Sequence, residues 1–227
     1  MLRASSTVSL AVAAAVLFAA ASVQAFEVAA NDAEAAYAQE IAKRADKVLA
    51  PLGITDEAQT NRVRDLITSQ YRTLREIHAV RDARINEAKR SPGDAAIAEA
   101  WTKTARDAAS LKLAELHRRF VARLAVELTP EQVDKVKDGM TYGVVGITYK
   151  RYLELFPNLR DEDKRELLAD LIEARELAMD AGSSEEKHAV FGKYKGRINN
   201  YLSKAGYDMK QAEKDLAEKQ KAAPQAR

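Results

Sequence analysis

The chain has 227 residues, no cysteine, and a net charge of +2 from 36 Lys+Arg against 34 Asp+Glu. That excludes disulfides, cysteine zinc sites, thiol nucleophiles and cysteine-linked lipid anchors, and it lacks the basic excess of a dedicated nucleic-acid binder. Aromatics at 6%, nine Gly and five Pro are too few for a turn-rich β protein and favour an all-α fold of one domain or two small ones.

Residues 1–25 read as a secretory signal peptide. Arg3 supplies the positive start, Val8 to Ala21 is uncharged and apolar, and Val23-Gln24-Ala25 offers a cleavage site before Phe26. The apolar run is shorter than the ~20 residues of a spanning helix. The expected location is therefore periplasmic or secreted, with residues 26–227 as one helical domain and no membrane span after signal removal.

The first helix is expected from Asp32 to Ala50, with Tyr37, Ile41, Ala45, Val48 and Leu49 on one face and Pro51 and Gly53 as the stop. The second runs from about Asp56 to Ala88, with a stripe of Val63, Leu66, Ile67, Tyr71, Leu74, Ile77 and Ile85. Ser91-Pro92-Gly93-Asp94 is a turn with Asp94 as N-cap. The third helix continues to about Glu127 on a stripe of Ile97, Trp101, Ala105, Ala108, Leu113, Leu116, Phe120 and Leu124. Two such helices, each roughly 50 Å long at 1.5 Å per residue, form a long antiparallel hairpin over 26–127.

Residues 128–222 read as a compact bundle packed on it. Thr129 caps the fourth helix, Pro130 takes its first position, Gln132 completes a capping box, and Leu128 and Val133 close a staple. This helix is expected to continue to Phe156, where Pro157 ends it. The fifth spans about Asp161 to Ala181, with Leu167, Leu168, Leu171, Ile172 and Leu177 inward. The sixth starts at Ser183 or Ser184, with Ser183 and Glu186 as a box, and ends near Gly206. Asp208 and Gln211 open the last. Six of the eight tyrosines and seven of the nine glycines fall between Leu128 and Tyr207, so a ligand site is expected there.

Gly139/Gly143 and Gly192/Gly196 are each four apart, and mid-helix glycine costs about 1 kcal/mol against alanine. Close helix contact is the first explanation and close ligand approach the second. Lys187 to Tyr201 puts Val190, Phe191, Tyr194, Ile198, Tyr201 and Leu202 on the inward stripe. It presents Lys187, His188, Lys193, Lys195, Arg197, Asn199 and Asn200 outward. This is either a solvated basic face or a polyol site, since amides and guanidinium bind hydroxyls and Tyr rings cover C–H patches. The expected ligand-binding residues are Tyr142, Tyr149, Lys187, His188, Tyr194, Arg197 and Asn200.

Glu185 and His188 have the Glu-x-x-His spacing of di-iron bundles, but no second copy exists, so neither a metal nor another cofactor is expected. No Gly-x-Ser-x-Gly elbow is present. The remaining catalytic option is a carboxylate pair drawn from Glu173, Glu176 and Asp180.

LTPEQVDKVKDGMTYGVVGITYKRYLELFPNL and EARELAMDAGSSEEKHAVFGKYKGRINNYLSKAGYD resemble the bacterial family catalogued as domain of unknown function 3826. The likeness covers most of the chain after the signal and is densest from Leu128 to Asp208. It implies an exported, helical, sugar-binding protein from a carbohydrate-degrading setting, with no catalytic residue to carry over. Leu128-Thr129-Pro130-Glu131-Gln132 is also similar to the Leu-Thr-x-x-Gln motif of small periplasmic chaperones of the Spy and CpxP type. Three functions follow in order: a non-enzymatic oligosaccharide binder, a periplasmic helical chaperone or envelope-stress scaffold, and a carbohydrate-active enzyme. A protein partner or a homodimer is compatible with all three.

Overall fold

The computed structural model describes residues 31–91 and 93–222. The expected signal peptide lies outside these residues. Among the described residues the structure is all-α, with no strand. The chain divides into two units between Asp46 and Lys47. Residues 31–49 are helical (α1), and the expected stripe is found: Ile41, Ala45, Val48 and Leu49 are buried. A 3-10 turn, Ala50–Leu52, carries Pro51 and closes on Gly53 at φ 67°.

In the second unit, α2 (Glu57–Arg90) and α3 (Ala95–Glu127) pack along one another. Asp56 and Asp94 cap them through backbone N–H groups two or three residues on. The antiparallel pair is tied at its open end, where Gln59 donates to the Glu127 carbonyl and Arg62 grips the Glu127 carboxylate at 3.0 Å. The α2 stripe is as expected. On α3, Ile97 and Trp101 are instead more than half exposed. The partly buried stripe runs back from Ala105 through Thr102 and Ala98, one residue later, so the two large side chains turn roughly 100° away from α2.

The expected fourth helix is two helices, α4 (Pro130–Met140) and α5 (Val144–Leu155). Thr141-Tyr142-Gly143 breaks it. Tyr142 and Gly143 both lie in the left-handed region, at φ 60° and 65°, and Gly143 N–H donates to Asp138 O at 2.8 Å. Gly143 is thus a helix stop followed by a new start, because only glycine holds that conformation without strain. The Thr129/Gln132 capping box is formed in both directions, and Gln132 also reaches Leu52 O.

Then follow α6 (Asp161–Met179), α7 (Ser184–Lys204) and α8 (Met209–Ala222). Ser183 caps α7, but Glu186 reaches back to Gly182 N–H rather than to the cap itself. Tyr152, Phe156, Leu167, Leu171, Phe191, Ile198 and Leu202 build the core of α5 to α8. On α6, Ile172 and Leu177 are exposed, while Asp163, Asp170 and Arg175 take inward positions. Each of these three has an ionic partner there, which is what permits a charge to stay buried.

The glycine pairs do not form matching ridges. A Cβ on Gly139 would come within 3.0–3.3 Å of Val48, whereas Gly192 and Gly196 face open space. Alanine at 192 or 196 is expected to stabilise by about 0.5–1 kcal/mol each. Alanine at 139 is expected to lose that gain to the clash. Urea unfolding of the three variants reads the difference.

Candidate functional site

The seven expected ligand residues do not converge. From Lys187 to Asn200 along α7 is roughly 20 Å. Tyr142, Lys187 and His188 meet at one corner. Tyr142, half-exposed, stacks on His188 with ring centroids 5.8 Å apart. Lys187 is not on the basic face. It is buried, donates to Met140 O at 2.8 Å, and lies 6.0 Å from the ring centroids of Tyr71 and Tyr142. Tyr194 is buried, and Arg197 sits over its ring while bonding Asp170 at 3.0 Å and Glu173 at 3.2 Å. Tyr149 packs on the α5–α8 core and Asn200 is exposed. Its neighbour Asn199 accepts the Tyr152 hydroxyl at 2.6 Å. Burial pushes that hydroxyl's pKa up to about 12.

A different place has the geometry of a site. A cleft of about 530 Å³ opens between α3 and α6, with His78 of α2 and Val190 of α7 in its wall. Leu113, Ala114, Leu177 and Val190 give an apolar surface, and Ser110, His117, Arg118, Glu176 and Asp180 give a polar one. Leu177 is exposed because it belongs to this surface rather than to the core.

The polar wall is a fixed network. His117 Nδ1–H donates to Asp180 Oδ2 at 2.8 Å, and its Nε2 lies 3.3 Å from Glu176 Oε2. Glu176 also accepts from Lys137 at 2.9 Å and touches Arg175, which is buried and bonds Asp134 at 2.7 Å and Asp138 at 2.9 Å. Three cations thus face four carboxylates, joining α3, α4 and α6. His78 Nε2 lies 2.7 Å from Asp180 O. A Cβ on Gly182 would fall 2.8 Å from His78 Cγ, so glycine there lets the chain close over the imidazole.

Asp180 and then Glu176 raise the His117 pKa to about 9, so the ring is an imidazolium at neutral pH. Burial alone would raise Glu176, but His117, Lys137 and Arg175 hold it at about 2. With both nitrogens committed, His117 is not a free base, and Ser110 lies two turns back on α3, roughly 10 Å away. Nor do the carboxylates face each other across a cleft. Glu176 and Asp180 share one histidine, and Glu173 belongs to Arg197. Among the described residues no group of three or more His, Asp or Glu could hold a metal ion.

The pKa shifts set a stability profile. His117 is raised from 6.5 to about 9, so its contribution is complete below pH 6.5 and is lost as pH rises through 9. Glu176 is depressed from 4.5 to about 2, so its contribution is present above pH 4.5 and is lost as pH falls through 2. The melting temperature should therefore be highest between about pH 4.5 and 6.5. His117→Gln should flatten the alkaline side, and a wild-type melting temperature unchanged from pH 6 to 10 would contradict the network.

Of the candidate catalytic and ligand-binding residues read from the sequence, only Glu176 and Asp180 line this cleft. Their i, i+4 spacing on one helix face was the signal available. His78 and His117 carried none, since their partner is 102 and 63 residues away.

Fold and site define an all-α bundle protein with a long helical hairpin and a charge-walled cleft. The chain belongs to the family described as Protein of unknown function (DUF3826), which matches residues 38–222, most of its length. No curated protein matches it significantly. No helix among the described residues is long and apolar enough to cross a membrane.

Proposed function

We propose that this is an exported, non-enzymatic binding protein whose ligand, an oligosaccharide, occupies the cleft beside His117 and Asp180. One observation carries the reading: apolar side chains at Leu113, Leu177 and Val190 lie next to polar groups fixed by ion pairs. A sugar presents C–H faces beside hydroxyls and suits such a wall. The volume falls within the ~300–1,000 Å³ of small-ligand sites. The commitment of His117 and Glu176 to one another supports binding over catalysis. The resemblance of the sequence implies the same ligand class. Export rests on residues 1–25 and predicts that protein recovered from the periplasm begins at Phe26, which its mass reads.

The test is thermal unfolding against neutral and acidic oligosaccharides. A ligand at a hundred times its Kd adds about 2.7 kcal/mol, a shift of several degrees at this size. Leu177→Arg places a bulky cation at the cleft from an exposed position and should abolish the shift. A shift kept in Leu177→Arg but lost in Tyr142→Ala would move the site to the Tyr142–His188 corner.

A second reading has its own observation. Ile97, Trp101, Leu111 and Val126 are exposed on α3, a helix that also carries four arginines. This is surface of the kind a chaperone of unfolded chains uses. Suppression of client aggregation, with no response to any glycan, would favour it.

A further inference from the structure

We infer that the cleft is built around a hydrogen-bond-accepting socket, formed by His78 Nδ1 and Asp180 Oδ1, that selects ligands bearing a hydroxyl or ammonium on an apolar frame and rejects carboxylates. This rests on the reading of the cleft as the binding site, and it narrows the ligand.

Two buried polar atoms in residues lining the cleft lack a hydrogen-bond partner: His78 Nδ1 and Asp180 Oδ1. Their character follows from the bonds around them. His78 Nε2 lies 2.7 Å from the Asp180 backbone carbonyl, which can only accept, so Nε2 carries the proton. In the Nε2–H tautomer Nδ1 presents a bare lone pair. Asp180 is a carboxylate whose other oxygen is held by His117 Nδ1–H at 2.8 Å, so Oδ1 is an acceptor as well. Neither atom can satisfy the other. Both need a donor.

The surroundings hold the socket in place. His78 is only 6% exposed, and Gly182 lies close against its ring. Asp180 is fixed through its side chain by His117 and through its backbone by His78. A buried polar atom left unmet is costly, so a group that donates there gains more than the same group gains in water. A carboxylate would set further acceptors against these two.

The experiment uses three fragments that share one apolar frame: cyclohexanol, cyclohexylammonium and cyclohexanecarboxylate. Each is titrated at pH 7 into the full chain labelled with ¹⁵N-histidine, and the ring nitrogens of His78 are followed. The free protein should show His78 protonated at Nε2. The alcohol and the ammonium should move Nδ1 and bind at least about tenfold tighter than the carboxylate, the equivalent of one good hydrogen bond. Asp180→Asn keeps an oxygen for His117 and turns an amide N–H₂ toward the socket, which should narrow or reverse that preference.

Carboxylate binding equal to or tighter than the other two would overturn the socket. So would silence of His78 toward all three, the result expected if a resident water holds the place. These outcomes are separable from the carbohydrate reading. If the donor fragments bind and no oligosaccharide does, the socket stands and the carbohydrate reading falls. If oligosaccharides bind while the carboxylate is the preferred fragment, the socket falls alone.

Discussion

Arg175→Met should destabilise the protein by about 3 kcal/mol, the low end for breaking a buried ion pair by removing one partner. The guanidinium is 7% exposed and bonds Asp134, Asp138 and Glu176. Methionine matches much of its length and apolar stem but leaves three carboxylates close together with one cation fewer. Asp134 and Asp138 are substantially exposed and can recover water, which keeps the loss from being larger. A domain of this size loses about 2–4 °C per kcal/mol, so the melting temperature should drop by roughly 6–12 °C. Pairing Arg175→Met with Asp138→Asn tests the cause. The double variant should lose less than the two single losses added together, because the interaction can be broken only once.

Asp163→Asn should cost on the order of 3 kcal/mol by a different route. Asp163 is fully buried at the start of α6. Its two oxygens accept from Arg160 at 2.8 and 3.0 Å, from the Tyr201 hydroxyl at 2.9 Å and from the Tyr207 hydroxyl at 2.7 Å. One carboxylate thus joins α6, the end of α7 and the loop before α8. An asparagine offers one oxygen for these donors and turns an amide N–H₂ toward the rest. Arg160 above all, with both tyrosines, holds the carboxyl pKa at about 2 against 3.8, although burial opposes it. Its contribution is therefore present above about pH 4 and is lost as pH falls through 2. Stability measured from pH 6 to pH 2 should fall less steeply in Asp163→Asn than in wild type. Equal slopes would remove Asp163 from the account of the acid side.

The sequence showed helix ends wherever the signal was local. Asp94, Thr129 and Ser183 cap where expected, because a cap needs only its own side chain and a backbone N–H two or three residues on. The break at Tyr142 was missed. Gly143 reads as a mid-helix glycine but holds a left-handed turn, and the tyrosine before it shares that conformation against its own preference. Buried charge was missed for a related reason. Lys187 and Arg175 face inward because their partners stand 47 and 37–41 residues away, and periodicity assigns such residues to the surface. The cleft failed the same way. A histidine on α2, another on α3 and an aspartate at the end of α6 have no spacing that links them. The expected residues fared according to their reach: Tyr142, Lys187 and His188 meet across a short stretch of fold, while Tyr194, Arg197 and Asn200 occupy other turns of α7.

Methyl NMR on Leu- and Val-labelled protein, titrated with the panel of neutral oligosaccharides, puts the most direct question. Leu113, Leu177 and Val190 sit on three different helices and share only the cleft. They should shift together, with one dissociation constant, and the response should vanish in Leu177→Arg. Shifts confined to Val144 and Val145, beside the Tyr142 turn, or no shift in any methyl, would contradict a ligand site beside His117 and Asp180.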